Sequence, residues 1–298
     1  MKRIFLFLLT NIAVIVVAML VLNLFGVESY MQGTNLDLKN LFLFALVFGF
    51  AGSFVSLAMS KWIAKISTGA RVISKPINEK EIFLFDIVKK QSEKAGIKMP
   101  EIAIYNSSQP NAFATGMRKN SALVAFSTGL LNKMNKNEIA GVAGHEISHI
   151  ANGDMVTMAL LQGVLNTFII FFAKIVAYVV DRVILKNDNS GRSFVFIVVD
   201  IIAQILFGIL ASLIAMKFSR YREFHADKGG AYLAGKGNMI AALRKLQSMQ
   251  PGVLPDQMAA FGISANRDKI SELFSSHPPI EDRILKLEQE DQSNLRIA

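Results

Sequence analysis

Four long apolar stretches divide the chain, with polar or mixed segments between them. The first pair covers residues 4–25 and about 41–59, and the second pair covers about 155–180 and 194–216. Each stretch is long enough to cross about 30 Å of hydrocarbon as a helix. The pattern predicts four transmembrane helices. The first should be a retained anchor, because its apolar part is longer than that of a cleaved signal peptide.

The second pair of apolar stretches contains two opposite charges. Lys174 lies inside the third stretch and Asp200 inside the fourth, at similar distances along the chain from a hairpin centre near residue 187. A single charge at the centre of a membrane helix costs roughly 2.5–3.5 kcal/mol on insertion scales. We therefore predict that these two side chains face each other and stabilise a hairpin of antiparallel helices.

The segment between the two pairs, residues 77–152, has the alternating pattern of a soluble α+β domain. An amphipathic helix is predicted to end at Gly96, and "EIAIYN" and "ALVAFS" have the pattern of short strands. A further helix is predicted over "NKNEIAGVAGHEISHIANG", with Asn137 as its N-cap and Asn152-Gly153 at its C-terminal end. More helices are predicted after residue 217.

Composition supports a membrane protein and excludes several kinds of chemistry. The chain is 52% hydrophobic and has a net charge of +9. Its basic residues flank the apolar stretches, which indicates membrane orientation rather than nucleic-acid binding. There is no cysteine, so disulfides, thiolate zinc sites and a cysteine nucleophile are excluded. The positive-inside rule places the N-terminus and residues from 61 onward in the cytoplasm, because the second stretch is followed by Lys61, Lys65, Arg71, Lys75 and Lys80.

The stretch "HEISH" is the strongest chemical motif. His145 and His149 flank Glu146, and on a helix both imidazoles lie on one face, one turn apart. This spacing suits a tetrahedral Zn²⁺ ion. The longer motif H-E-x-x-H-x-x-G-x-x-H is excluded, because Asn152 and Met155 occupy its glycine and third histidine positions.

The third ligand is expected from "REFHAD". A carboxylate from a later helix would complete a His₂Glu site with one open position. Glu223 and Asp227 share a helical face, so Glu223 can be the ligand while Asp227 accepts a hydrogen bond from a ligand histidine. His225 lies about 200° around the helix from Glu223 and remains the alternative ligand. Two apolar stretches separate His149 from Glu223, so both return to one side of the membrane.

Together, "HEISHIANGD", "EFHAD", "NAFATG" and "SHPPIEDR" resemble the HtpX-type membrane zinc metallopeptidases, bacterial relatives of the CAAX prenyl endopeptidases. The resemblance covers essentially the whole chain. It implies a mainly α membrane protein with a gluzincin-like α+β peptidase domain. It also implies a cytoplasm-facing endopeptidase of the bacterial inner membrane that acts in membrane-protein quality control under stress. In this family pattern His145, His149 and Glu223 bind zinc and Glu146 is the catalytic base.

Three further residues are candidates for supporting roles. His277 in "SHPPI" is the histidine available to stabilise an oxyanion opposite the zinc, and the alternative is that it caps the last helix. Arg283 belongs to the same motif, and a structural salt bridge is its expected role. Asp154 either supports the zinc ligands or caps the helix that follows it.

A candidate substrate-binding segment is "NAFATG". It alternates small and apolar side chains near a predicted strand edge, where a peptide substrate can add as an extra strand. The alternative is a buried turn that packs Phe113 into the core. The candidate residues are Asn111, Ala112, Phe113, Ala114, Thr115 and Gly116.

The predicted organisation has four parts: two transmembrane helices in residues 1–60, a cytoplasmic peptidase part in 61–152, a transmembrane hairpin in 153–217 and a second cytoplasmic part in 218–298. The expected partners are polypeptide substrates and the lipid bilayer, without nucleic acid. The competing hypothesis is a membrane scaffold that retains structural zinc. The open metal position and Glu146 argue against it, because structural zinc sites are normally closed.

Overall fold

The structure is a computed structural model that describes residues 2–24, 31–32, 35–187, 192–249 and 275–297. Its internal contacts divide the chain into two compact units, each built from two separate segments. The first unit combines Met1–Ala58 with Thr157–Ala215, and the second combines Met59–Val156 with Met216–Ala298.

The first unit is helical. Helix α1 covers Lys2–Leu24, and a two-stranded hairpin of β1 (Met31–Gln32) and β2 (Asn35–Leu36) precedes α2. Three further helices lie partly in this unit and partly in the second one. They are α2 (Leu38–Thr68), α6 (Asp154–Tyr178, with a π-helical continuation over Val179–Ile184) and α7 (Phe194–Ala234).

Three of these helices are long and apolar enough to cross a membrane, counting the residues that the structure describes: Leu38–Thr68, Asp154–Ile184 and Phe194–Ala234. Helix α1 forms over the first predicted stretch, and its described apolar portion is Ile12–Leu24. Four crossings therefore remain a prediction. Helix α7 continues well past its apolar stretch, so "EFHAD" lies on the same continuous helix.

Glycines allow α2 and α6 to approach closely. A Cβ atom on Gly49 would lie 2.5 Å from Thr167 Oγ1 and 2.9 Å from the carbonyl oxygen of Gly163. A Cβ atom on Gly163 would lie 2.7 Å from the ring of Phe50. Close packing through small residues is a main source of helix association in membranes. A larger side chain at either glycine would separate the two helices.

An ion pair joins α6 to α7. Lys174 Nζ lies 2.9 Å from Asp200 Oδ2, and the two side chains are only 10% and 13% exposed. This is the pairing that the sequence predicts from the positions of the two charges around the hairpin. The two side chains thus neutralise each other's charge within the apolar stretches of α6 and α7.

We expect Lys174 and Asp200 to be energetically coupled. Lys174→Met or Asp200→Leu alone should cost roughly 2.5–3.5 kcal/mol, because each leaves one unpaired charge in an apolar helix. The double variant should be more stable than either single variant. Thermal unfolding in detergent measures this double-mutant cycle. Lys174→Met combined with Gln204→Leu, which removes an uncharged polar group from α7, is the additive control. Simple addition of the Lys174 and Asp200 costs would contradict the coupling.

The second unit contains a four-stranded sheet in the order β3-β4-β6-β5. The two predicted strands are β4 (Glu101–Tyr105) and β6 (Leu123–Ser127), which pair in parallel with Glu101 opposite Leu123. The flanking strands β3 (Arg71–Val72) and β5 (Ala112–Thr115) are antiparallel to their neighbours. Every residue of β6 is buried, and β5 lies at an edge of the sheet.

In the described part of this unit, five α-helices accompany the C-terminal part of α7. They are α3 (Glu79–Lys94), α4 (Thr128–Lys133), α5 (Lys136–Asn152), α8 (Lys236–Met249) and α9 (Ile280–Gln289). The core lies between the sheet and α3 and α5, where Leu84, Phe126 and Ile147 are fully buried. Helix α3 ends before Gly96, which has a φ of +68° that favours glycine.

Helix α5 carries the H-E-x-x-H motif, and its N-cap differs from the prediction. Asn135, not Asn137, has the extended backbone, and its side chain accepts hydrogen bonds from the amides of Asn137 and Glu138 at 2.9 and 3.0 Å. Glu138 returns a bond by accepting from the Asn135 amide at 2.8 Å, which completes a capping box. The helix ends as predicted, at Gly153, whose left-handed conformation (φ +74°) stops it.

Candidate metal centre

Helices α5 and α7 bring three metal-binding side chains together. His145 and His149 lie one turn apart on α5, and their Nε2 atoms are 3.1 Å apart. Glu223 on α7 places Oε2 3.4 Å from His145 Nε2 and Oε1 3.3 Å from His149 Nε2. One ligand atom from each of these three residues lies within 4.8 Å of the others. The carboxylate predicted as the third ligand, that of Glu223, therefore lies beside the two histidines.

Glycines allow α5 and α7 to come this close. A Cβ atom on Gly144 would lie 3.0 Å from the carbonyl oxygen of Gly230, and one on Gly230 would lie 3.0 Å from the backbone nitrogen of His145. A Cβ atom on Gly229 would lie 2.0 Å from Ser148 Oγ. These contacts leave no room for a side chain between the helices. The glycines next to the two motifs therefore set the distance between His145 and Glu223.

Two aspartates orient the imidazole rings. His145 Nδ1 donates to Asp227 at 3.0 Å, and His149 Nδ1 donates to Asp154 at 2.5 Å. Because an ionised carboxylate only accepts hydrogen bonds, both rings carry a proton on Nδ1 and direct Nε2 toward Glu223. Asp154 is the first residue of α6 and contacts a histidine of α5 as well. Of the two roles considered from the sequence, this contact favours support of a metal-binding histidine.

Arg283 holds Asp227 in place. Its guanidinium donates to both carboxylate oxygens, from Nε to Oδ2 at 2.8 Å and from Nη2 to Oδ1 at 2.6 Å. Arg283 and Asp227 are both buried, so this bidentate pair is shielded from water. Arg283 Nη1 also lies 3.5 Å from Glu223 Oε2. The arginine thus connects α9 to two carboxylates of α7.

The donor set fits a small cation. Nε2 of His145, Nε2 of His149 and the carboxylate of Glu223 converge as lone-pair donors. The Glu223 carboxylate is buried, and its two oxygens face the two Nε2 atoms at 3.3 and 3.4 Å. Zinc–nitrogen bonds of 2.0–2.1 Å would separate two tetrahedral ligands by about 3.3 Å, close to the observed 3.1 Å. Two imidazoles and one carboxylate are also a common ligand set of catalytic zinc.

The local electrostatics favour a positive charge at this point. Burial lowers the pKa of His145, but hydrogen bonds to Asp227 and Glu223 outweigh burial and raise that pKa to about 10. The pKa of His149 is also raised, because Asp154 and Glu223 outweigh burial there. Both shifts have the same cause, which is the negative charge of the carboxylates around the two rings, and this charge favours a bound cation.

Two more predicted residues line a cavity beside this cluster. Glu146 and His277 border it together with His145 and Arg283. His277 Nδ1 lies 2.8 Å from Glu223 Oε2, and its side chain is 61% exposed. The N-cap of α9 is Pro279, and that position makes no side-chain cap hydrogen bond. The alternative role of His277 as a helix cap is therefore wrong.

His225 points away from the cluster. Its Nδ1 donates to the carbonyl oxygen of Tyr221 at 2.9 Å, and its ring lies 4.3 Å from the Tyr221 ring. This agrees with its expected position about 200° around the helix from Glu223. The structure therefore gives no support to His225 as the third ligand.

The predicted substrate segment forms edge strand β5. Asn111 and Ala112, at its N-terminal end, line the cavity that contains Glu146. Phe113 faces the opposite side and packs against Tyr105, with ring centroids 5.6 Å apart. The segment is thus a strand, not a buried turn. Among the residues that the structure describes, no strand pairs with the outer side of β5, which is the kind of edge to which another strand can add.

Sequence reasoning missed two residues near the centre. Arg222 Nη1 lies 3.8 Å from Asp154 Oδ2, so a guanidinium faces each of the two aspartates that orient the histidines. Burial and the charge of Glu146 raise the pKa of Tyr105, while hydrogen bonds from Asn111 and Ser127 oppose this rise. Arg222 could have been found from its place beside Glu223 in "REFHAD". The sequence has no comparable signal for Tyr105.

Comparison with known proteins identifies the family. The model for Peptidase family M48 matches residues 79–291, which include every residue of the centre described above. The chain belongs to Peptidase family M48. This M48 member is therefore a metalloendopeptidase, a hydrolase of peptide bonds, and the family resemblance predicted from its motifs is confirmed.

Curated relatives match the M48 chain over all or nearly all of its length. It is 70% identical over 298 residues to Protease HtpX of Hydrogenovibrio crunogenus, covering 100% of both chains. It is 56% identical over 291 residues to Protease HtpX of Thioalkalivibrio sulfidiphilus, covering 96% of this chain and 98% of that one. The chain is an HtpX-type protease by this similarity.

A solved structure shares the fold. The crystal structure of S. mikatae Ste24p superposes with a TM-score of 0.66 at 18% sequence identity. The match covers 96% of this chain and 65% of that chain. At this identity the likeness concerns the fold alone.

Proposed function

We propose that this protein is a zinc-dependent membrane endopeptidase that hydrolyses peptide bonds of misfolded or damaged membrane proteins. The reaction would take place at the cytoplasmic face of the bacterial inner membrane, in quality control under stress. The observation that carries the proposal is the convergence of His145, His149 and Glu223 next to a cavity that His145 and Glu146 line. A set of metal ligands with a further carboxylate next to it is an arrangement suited to metal-assisted hydrolysis of an amide.

The metal in this proposal is zinc. His145, His149 and Glu223 would hold it, since their nitrogen and oxygen donors match catalytic zinc sites with three protein ligands. Bound there, zinc supplies a Lewis acid that polarises the scissile carbonyl and lowers the pKa of a water molecule. The buried Glu223 and the two aspartates on the histidines make the site anionic, which favours a divalent cation.

Glu146 is the proposed general base. It follows the ligand His145 directly, lines the cavity, and is absent from the group of three converging ligands. Its carboxylate can take a proton from the attacking water and transfer it to the leaving nitrogen. Asp227 and Asp154 hold the imidazole rings in position, and Arg283 holds Asp227. Only Glu146 among these carboxylates is free to carry a proton between reactants.

His277 is the proposed partner of the oxyanion. The exposed ring borders the same cavity as Glu146 and approaches Glu223, which would place a hydrogen-bond donor next to the scissile carbonyl. Such a donor contributes mainly when negative charge develops on that oxygen.

We expect His277→Phe to lower kcat by roughly 10²–10³-fold while the metal content stays unchanged, because the contact of His277 is made in the transition state. Peptidase kinetics and metal analysis on the same preparation measure both quantities. His225→Phe is the matched control, since His225 hydrogen-bonds its own helix away from the cavity. Unchanged activity of His277→Phe would exclude the histidine from the reaction.

The substrate would bind as an additional strand on β5. This strand is at the edge of the sheet, and Asn111 and Ala112 at its beginning border the cavity of Glu146. Main-chain hydrogen bonds along Asn111–Gly116 would align a peptide without selecting its sequence. Such binding suits an enzyme that acts on unfolded segments of many proteins.

The cytoplasmic location is supported by the distribution of charge. Basic residues follow the second apolar stretch at Lys61 and Lys65, and the fourth at Lys217, Arg220 and Arg222. Positive charge next to membrane helices favours the cytoplasmic side. All proposed metal ligands belong to the second structural unit, which contains these basic residues.

Substrate trapping tests the proposed substrate class. A Glu146→Gln variant in bacterial membranes should retain unprocessed membrane proteins after heat stress, and photo-crosslinkers in β5 should capture them. A cysteine-free chain allows a crosslinking group to be placed there uniquely. Capture restricted to folded soluble proteins, or equal capture before and after stress, would contradict the proposal.

A further inference from the structure

The cavity beside Glu146 has a wall that the hydrolytic mechanism does not use. Its volume is about 150 Å³, and it extends from the catalytic residues to α8. One face of α8 contributes Met239, Ala242, Leu243 and Leu246, which follow the spacing of a single helical face. The apolar wall is completed by Leu130 and Val142.

The polar groups of the cavity come from elements other than α8. His145 and Glu146 belong to α5 and Arg283 to α9, while His277 precedes α9 and Asn111 precedes β5. The four side chains from α8 are apolar, so a charged group against them would lose its hydration without finding a partner on that helix. The part of the cavity at α8 is its apolar end.

The volume suits one apolar side chain. A cavity of this size in another protein, lined by aliphatic and aromatic side chains, accommodates benzene. The ring of phenylalanine and the branched end of leucine have comparable or smaller dimensions. A peptide with its scissile bond at Glu146 would have only the side chain next to that bond within reach of the apolar end.

We propose that this cavity is a specificity pocket, which accepts an apolar side chain of leucine or phenylalanine size next to the scissile bond. Leu246 is a specificity-determining residue of the pocket. The inference rests on the proposed function, because it takes Glu146 as the position of the reaction. It adds a substrate preference that β5 pairing alone would not produce.

Leu246 is the most suitable position for a test. Met239, Ala242 and Leu243 are at most 2% exposed, so changing their size would disturb the core. Leu246 is only partly buried and lies in the last two turns of α8. Its replacement should change the size of the pocket with less effect on folding.

The experiment uses the purified full-length enzyme with zinc and a series of quenched fluorescent peptides. The peptides differ only at the two positions that flank the scissile bond, where Gly, Leu, Phe, Asp and Lys are compared, and mass spectrometry locates each cut.

At one of these positions Leu or Phe should raise kcat/KM at least about tenfold over Gly and Asp. Leu246→Phe should lower kcat/KM for the Phe peptide about tenfold, with a smaller effect on the Leu peptide. Leu246→Ala should shift the preference toward Phe.

A matched control and a second measurement keep the test independent of folding. Ser248→Phe adds the same ring at an exposed position of α8 and should leave the order of preference unchanged. A photoreactive leucine at the preferred position of a peptide, bound to the Glu146→Gln variant, should crosslink to α8, and the adduct can be mapped by mass spectrometry. That readout needs no catalysis and no change at Leu246.

The outcomes distinguish the pocket from the proposed function. Cleavage of all peptides at similar rates, or crosslinks that miss α8, would overturn the pocket and leave the peptidase activity intact. An equal loss on every peptide in Leu246→Phe, with an unchanged order of preference, would also overturn it. If the wild-type enzyme with zinc cleaves no peptide, the proposed function fails and the pocket fails with it.

Discussion

Glu146→Gln should abolish proteolysis while the protein keeps its metal. Glutamine preserves the size of the side chain but cannot accept and return a proton, so kcat should fall by about 10²–10⁴-fold or more. The metal should remain, because Glu146 is not one of the three side chains that converge in the centre. Peptide hydrolysis and metal stoichiometry, measured on the same purified sample, check both parts of this expectation.

The matched control for this variant is Glu93→Gln. Glu93 is an exposed residue of α3, and the same chemical change there should leave hydrolysis unaffected. Normal turnover by Glu146→Gln would remove Glu146 from the mechanism. Loss of metal together with activity would instead make Glu146 part of the binding site, contrary to the geometry.

Glu223→Ala should lose the metal. Glu223 is 2% exposed and supplies the carboxylate that faces both Nε2 atoms, so alanine would leave two imidazoles without their anionic partner. Two remaining ligands are too few for a stable tetrahedral site, and we expect metal affinity to fall at least about 100-fold, more than for loss of an outer partner. Metal analysis after dialysis against a weak chelator measures this loss, and peptide hydrolysis should disappear with it.

The control for Glu223 lies on the same helix. His225→Ala removes a possible metal ligand two residues away, and it should keep the metal because His225 donates to the Tyr221 carbonyl. Glu223→Gln provides a second variant of native size in case alanine disturbs the packing against Arg283. Metal retained without Glu223 and lost without His225 would reverse the assignment of the third ligand.

Features that depend on local spacing could be predicted from the sequence. The long apolar stretches located the helices of the first unit, and short strand patterns located β4 and β6. The four-residue spacing of His145 and His149 placed both rings on one face, because a helix has 3.6 residues per turn. The same rule placed His225 on a different face of its helix from Glu223. The charges of Lys174 and Asp200 predicted their pairing, since an apolar helix gives a buried charge few other partners.

The N-cap of α5 shows where local reasoning was incomplete. The sequence contains Asn135 and Asn137, and both are good N-cap residues. Only Asn135 has a glutamate three residues later, and the reciprocal hydrogen bonds with Glu138 select it. The signal was present in the sequence, but the prediction took Asn137, which is nearer to the apolar pattern, and did not use the glutamate.

Contacts between distant segments were decided only by the tertiary structure. Asp154 reaches His149 because Gly153 reverses the chain between them, and its role could not be chosen from spacing alone. Close approach of Gly144 to Gly230 determines how near Glu223 comes to the histidines. The apolar cavity exists because the Leu246 face of α8 meets the middle of α5, at Val142 and His145. Such distances depend on how side chains pack between elements, whereas a sequence pattern determines only which residues share a face.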